Sequence, residues 1–142
     1  MASITIQAHP NRSEIKRRLR ASEITPTHQR VLIAEALFEK PQHVSAEQVL
    51  AMVNKDHEEV SKATIYNTLG LFAQKGLINE VIIEASKVFY DTNLEKHHHL
   101  YHTDTGVLED ISSSEIKIEK LPAPPEGTVL EDVDIIIRLR KS

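Results

Sequence analysis

There is no cysteine and no tryptophan in these 142 residues, and only 4 % of them are aromatic. Without cysteine, disulfides, thiolate-held zinc, iron–sulfur clusters and thiol nucleophiles are all excluded. The same absence fits a reducing, cytoplasmic setting. With so few rings, any core must be aliphatic, drawn from the 40 % of residues that are apolar. No apolar run approaches the roughly 18 residues of a membrane span, so no membrane partner is expected. The N-terminus lacks the apolar stretch of a secretion signal. The four glycines are too few and too scattered to make a glycine-rich phosphate loop. A His-Glu-x-x-His helix is missing too. A metal-dependent hydrolase would need such a helix or an equivalent pocket with a general base, so the chain does not read as an enzyme.

What the chain does have is histidine. Four of its eight histidines lie in the run His97-His98-His99-Leu100-Tyr101-His102. Histidine is the commonest protein ligand for transition metals. On a strand, His97 and His99 share one face and His98 takes the other. Two imidazoles one strand-step apart, with Asp91 upstream, make half a metal site. The net charge of −4 conceals a second feature. Arg12, Lys16, Arg17, Arg18 and Arg20 cluster near the N-terminus, opposed only by Glu14. Such a cluster is either a solvated helix face or a phosphate contact, and composition does not choose.

Residues 1–10 read as a flexible tail. Asn11, with Glu14 three residues on, opens a helix at about 11–21. Thr25-Pro26 is a helix-start signal, and Val31, Ala34, Leu37 and Phe38 follow helical spacing over about 27–39. Ser45 and Gln48 cap a helix over about 45–55, with the stripe Ala46, Val49, Leu50 and Val53. Ser61 opens a fourth helix, at about 61–75, stopped by Gly76. Ile65, Leu69 and Phe72 are its apolar face. Lys62, Tyr66, Asn67 and Gln74 lie largely off it. A cation, a phenol and an amide at the start of a short helix suit groove reading, although an ordinary amphipathic helix also has a polar outside.

Residues 77–83 and 87–91 read as two strands joined by a turn at Glu84-Ala85-Ser86. Helices followed by a hairpin describe a winged helix-turn-helix, in which the last helix enters the major groove. Beyond the histidines, residues 100–102 and 107–111 are strand-like. Ser112-Ser113-Ser114 would cap a helix, whereas alternating Ile116 and Ile118 favour a strand. Residues 121–127 hold three prolines and read as loop. Val133, Ile135, Ile137 and Leu139 alternate with Asp134, Ile136, Arg138 and Arg140. That predicts a strand with Ile136 on the outer face, where a second subunit or another element covers it.

Several stretches together are similar to a known family. They are Thr27-His28-Gln29-Arg30-Val31-Leu32, His43-Val44-Ser45-Ala46-Glu47, the segment from Ser61 to Leu69, Phe89-Tyr90-Asp91 and the histidine run. In order and spacing they resemble the ferric uptake regulator family over about residues 11–139. The segments 121–127 and 135–140 look most like its iron response regulator branch, which responds to haem. The resemblance implies an α+β protein, with an N-terminal winged helix-turn-helix followed by a small α+β dimerisation domain. The expected division is a tail at 1–10, a DNA-binding domain at 11–92, and a dimerisation and metal- or haem-sensing domain at 93–142.

The implied partners are a second copy of the chain and A/T-rich palindromic double-stranded DNA. The implied DNA contacts are Lys62, Tyr66 and Asn67 on the recognition helix, with Arg20 approaching the minor groove. Many family members have arginine where Asn67 stands, so base preference does not carry over. The implied metal ligands are His43, Asp91, His97, His99 and Asp110. Mixed imidazole and carboxylate donors suit iron(II), manganese(II) or zinc(II). The family's structural zinc, held by four cysteines, is absent, with His102 and Thr105 standing where a first cysteine pair would be. The cysteine–proline haem motif of some members is absent too, and His9-Pro10 lies in that region. Haem would therefore have to use His97, His98 and His99.

The reading that follows is a dimeric transcription regulator, mainly a repressor, of iron and haem homeostasis. In one scheme bound metal favours DNA binding. In the other, the iron-free protein binds DNA and haem releases it. A manganese-dependent repressor, or a peroxide sensor in which bound iron oxidises His43 or His97, is the alternative within the family. A pure protein-interaction module is the rival outside it.

Overall fold

The computed structural model describes residues 10–142. The tail expected at 1–10 falls almost wholly outside the described residues, as does His9. The chain divides into two compact units, Met1–Leu94 and Glu95–Ser142.

The first unit begins with four helices: α1 (Arg12–Ala21), α2 (His28–Leu37), α3 (Ala46–Val53) and α4 (Lys62–Gln74). Each starts on a side chain that accepts a backbone N–H two or three residues into the helix, which satisfies donors the helix cannot. Asn11 serves Glu14, Thr27 serves Arg30, Ser45 serves Gln48 and Ser61 serves Thr64. Only α3 carries the full reciprocal box, with the Gln48 side chain returning to the Ser45 N–H. The Glu14 carboxylate instead meets Arg18, 3.2 Å away. Pro26 precedes the cap of α2 rather than opening the helix, so Thr27 is the true start.

Helix α4 supplies the seam of the unit. Ile65, Leu69 and Phe72 are fully buried, and Thr68 lies on the same face. They pack with Ile15 and Leu19 of α1, Ile33 and Leu37 of α2, and Val49 of α3. The link from α3 to α4 is pinned by Asn54. Its side-chain oxygen accepts the N–H groups of Glu59 and Val60, and its amide donates 2.8 Å to the Val60 carbonyl. That holds Val60 in the core and fixes the angle of the helix pair. Gly76, at φ +77°, ends α4 in the left-handed region that glycine adopts most easily.

The chain then returns as β2 (Asn79–Glu84) and β3 (Lys87–Asp91), an antiparallel wing. A two-residue strand, β1 (His43–Val44), pairs with the other edge of β3 and gives the order β1-β3-β2. It is too short to show a period, so the sequence pattern does not reveal it.

The second unit is a sheet of order β5-β4-β6, built from β4 (His97–His102), β5 (Leu108–Ser112) and β6 (Ile136–Leu139). β5 is antiparallel to β4, and β6 is parallel to it. Residues 113–118, where the alternation of Ile116 and Ile118 favours a strand, instead form a short 3₁₀ turn at Ser113–Glu115 followed by extended chain that joins no sheet. The proline-rich stretch is loop, as expected. Lys96 ties the returning chain down. Its ammonium contacts Asp132 at 2.7 Å, Asp134 at 3.3 Å and the Val133 carbonyl. Burial works to lower the Lys96 pKa, but the two carboxylates outweigh it and hold the pKa above the usual lysine range.

On β6 the faces differ from the expectation. Ile136 is half-buried, whereas Ile137 and Leu139 are exposed. Because β6 is parallel to β4, Ile136 shares the face of His99, and Ile137 that of Leu100. Alternation marks the strand but does not say which face the rest of the chain covers.

The seam of α4 predicts a clear ranking. Phe72→Ala should cost about 3–5 kcal/mol of unfolding free energy. Exposed Lys62→Ala should stay within about 0.5 kcal/mol of the parent. Urea titration followed by circular dichroism measures both.

Candidate metal centre and nucleic-acid interface

The pleat of β4 does what its period requires. His97 and His99 lie on one face, their ring centroids 4.6 Å apart. The antiparallel ladder sets Asp110 of β5 directly opposite His99. The Nε2 atoms of His97 and His99 are each 3.4 Å from the same Asp110 carboxylate oxygen. His97 Nδ1 lies 2.6 Å from the Glu95 carbonyl and donates to it. Nδ1 therefore carries a proton, and Nε2 is the nitrogen turned toward the carboxylate. This is how a backbone carbonyl orients a ligating imidazole. Both imidazoles are more than nine-tenths buried, while Asp110 is 43 % exposed, so the donors open to solvent on the carboxylate side.

Two imidazole nitrogens and a carboxylate oxygen form a donor set that fits a divalent iron, manganese or zinc ion. Because the two rings project from one side of a strand and converge on one carboxylate oxygen, they would suit a single small ion better than haem. His98 is on the other face of β4, buried, with its Nδ1 accepting the Ile135 N–H at 3.2 Å. Burial, then the neighbouring Lys96, push its imidazole below the ordinary histidine range. His102 pairs with the Glu109 carboxylate.

The two remaining sequence-predicted ligands belong to the first unit. Strand β1 sets His43 opposite Asp91 on β3, so both side chains leave the same face of that sheet. Asp91 is buried and accepts the Asn93 N–H at 2.9 Å. Phe89 meets the His43 ring edge-on, with centroids 6.5 Å apart.

On α4, Lys62, Tyr66 and Asn67 are all exposed, as is Arg20 on α1. The Lys62 ammonium sits 5.9 Å from the Tyr66 ring centroid. The Tyr66 hydroxyl donates to the Glu47 carboxylate. That bond raises the Tyr66 pKa above the phenol range and lowers that of Glu47 below the carboxylate range. Within the basic cluster, Arg12 is taken by Glu35 at 3.0 Å, and Arg18 lies over the Phe38 ring as well as beside Glu14. Lys16, Arg17 and Arg20 keep their exposure. Sequence reasoning missed Glu47 and Glu95. Glu47 stands inside a quoted motif, but nothing in its spacing points to Tyr66. Glu95 acts through its backbone, which leaves no side-chain signal.

A helix pair clamped at a fixed angle, followed by a β-wing, defines the winged helix-turn-helix class. Residues 21–138 match the profile of the Ferric uptake regulator family. A Ferric uptake regulation protein of Cupriavidus metallidurans is 34 % identical over 76 residues, which is 53 % of this chain and 53 % of that protein. The match thus spans about half the length of that relative. A Peroxide-responsive repressor of Staphylococcus aureus is 30 % identical over 104 residues, covering 72 % of this chain and 70 % of the relative. The solved Ferric uptake regulator of Pseudomonas aeruginosa with manganese superposes with a TM-score of 0.68 at 25 % identity, covering 89 % of this chain and 96 % of that one. The chain belongs to the ferric uptake regulator family, whose members are transcription regulators rather than enzymes. Among the described residues no helix is long and apolar enough to cross a membrane.

The donor geometry makes a direct prediction. Asp110→Ala should weaken manganese(II) binding by at least about tenfold, the scale even of outer-shell losses. Glu109→Ala, one residue away on the opposite face, should leave it unchanged. Isothermal titration of the two variants checks this.

Proposed function

We propose that the chain is a dimeric, DNA-binding transcription regulator, mainly a repressor, whose grip on DNA depends on a divalent metal ion held by His97, His99 and Asp110. The observation that carries this reading is the convergence of two buried imidazole nitrogens on one carboxylate oxygen. His43 and Asp91 are proposed as the further ligands. Each half of the donor set is built within its own unit, so an ion using both would favour one relation between the units over others. The ligands' part is to bind and orient. The ion supplies the fixed charge that makes the arrangement depend on cellular metal.

Arg20, Lys62, Tyr66 and Asn67 are proposed as the DNA contacts, and A/T-rich palindromic duplex as the target. Two-fold symmetry in the DNA would mirror two-fold symmetry in the protein. The half-exposed apolar residues Ile137 and Leu139 of β6 support a second copy of the chain as the other partner.

Haem is the second reading, supported by the likeness of residues 121–127 and 135–140 to the iron response regulator branch. On this run His97 or His99 would be the residue to hold haem, because His98 points the other way and already accepts a backbone N–H. Under that scheme haem releases DNA rather than securing it. A peroxide sensor would use the same His97, His99 and Asp110 set with iron(II).

One titration distinguishes these readings. Manganese(II), iron(II) and haem are added separately to the full chain on a fluorescently labelled A/T-rich palindromic duplex, and anisotropy is followed. A metal-dependent repressor gains affinity with manganese(II) or iron(II), whereas a haem-released one loses it with haem. His97→Ala with His99→Ala should abolish either response. A response that survives both changes places the sensor elsewhere. Tyr66→Ala should weaken binding about tenfold with the fold intact. Affinity for the duplex should fall steeply between roughly 50 and 200 mM salt, as for any phosphate-gripping surface. Unchanged affinity in Tyr66→Ala removes the recognition-helix assignment, and salt-independent affinity removes the phosphate contacts.

A further inference from the structure

Glu47 is an unexpected residue to find beside Tyr66. It occupies the first turn of α3, where a carboxylate is favoured by the helix N-terminus, and it is exposed. Its hydrogen-bond partner is the Tyr66 hydroxyl on α4. Lys62, one turn before Tyr66, sits over the face of the same ring. The phenol is thus held at its oxygen from one helix and at its ring face from its own. Glu47 and Tyr66 also line one side of a cleft of about 420 Å³ whose other side is the wing, including Ala85, Ser86 and Lys87. An exposed anion among side chains proposed to meet phosphates lowers affinity for any DNA, because binding there rests largely on charge. Repulsion of that kind is also how an interface rejects wrong partners.

We infer that Glu47 is a positioning residue for sequence discrimination, fixing the Tyr66 ring between the recognition helix and the wing while weakening non-specific attachment to DNA. With the phenol O–H committed to the carboxylate, Tyr66 has no proton to donate to a phosphate. It contributes its ring and the remaining acceptor capacity of its oxygen. The inference rests on the DNA-binding reading above, and the experiment separates the two.

Anisotropy is measured for the full chain, with and without manganese(II), on an A/T-rich palindromic duplex and on a G/C-rich duplex of equal length. Glu47→Ala is expected to lower affinity for the A/T-rich duplex about tenfold, and to leave or raise affinity for the G/C-rich one. The ratio of the two then falls at least about tenfold, the scale of one good base contact. Glu47→Gln keeps an acceptor oxygen without the charge. It should retain most of the A/T-rich affinity while strengthening G/C-rich binding. Tyr66→Phe should lose what Glu47→Ala loses, and the double variant should be no worse than either single one, because the two residues act as a unit. Both side chains are exposed, so thermal melting should stay near that of the parent. Discrimination unchanged in Glu47→Ala, or losses that add in the double variant, overturn the inference while leaving the DNA-binding reading standing. A parent chain that binds both duplexes equally overturns the inference alone, and one that binds neither in either condition overturns both.

Discussion

The two-residue period of a single strand decides which donor side chains this protein can bring together. Because β4 is pleated, His97 and His99 emerge on the same side while His98 is turned away. A register slip of one residue on β5 would send Asp110 to the opposite face and take its carboxylate away from the two imidazoles. The register is held from both faces of the sheet. Tyr101 lies opposite Leu108, and His98 opposite Ile111, all four of them buried. The polar donors depend on the packing of apolar neighbours along the same strands, which is why a small unit with few buried side chains still presents a defined donor set.

The first unit solves a different problem with the same economy. A recognition helix must be rigid yet keep one face free. In α4 the buried face is continuous from Ile65 through Thr68 and Leu69 to Phe72, and Lys62, Tyr66 and Asn67 remain outside. The Asn54 clamp fixes how α4 leaves α3 by satisfying three backbone groups of a turn that has no regular ladder of its own. Rigidity of the helix pair is therefore supplied by one amide side chain and an apolar seam centred on Phe72.

Much of this is legible in the residues. Caps at Asn11, Ser45 and Ser61, the Thr25-Pro26 start signal and the stripes behind them locate all four helices, although the cap of α2 is Thr27. The alternation of residues 79–91 around a turn locates the wing, and the strand reading of the histidine run separates His98 from its neighbours. What escapes has physical causes. β1 is two residues long and exists only because β3 offers an edge. The parallel pairing of β6 with β4 is a long-range choice that no local pattern encodes. The outward face of β6 departs from the expectation because alternation fixes a period but not a direction. Glu47 and the Glu95 carbonyl act through contacts between segments, which spacing along the chain does not record. Asp132 and Asp134 belong to no motif, yet they hold Lys96.

The Lys96 clamp bears on how this chain could vary. Both ends of the irregular stretch between β5 and β6 are fastened to one sheet, by ladder pairing at Ser112 and by Lys96 beside Asp132 and Asp134. Closing such a segment costs entropy that grows only with the logarithm of its length, about 0.6 kcal/mol for each doubling. Insertions or deletions there would be cheap, provided the two fastenings survive. This span is the natural place for new appendages to be grafted onto the scaffold without disturbing the imidazole pair it encloses.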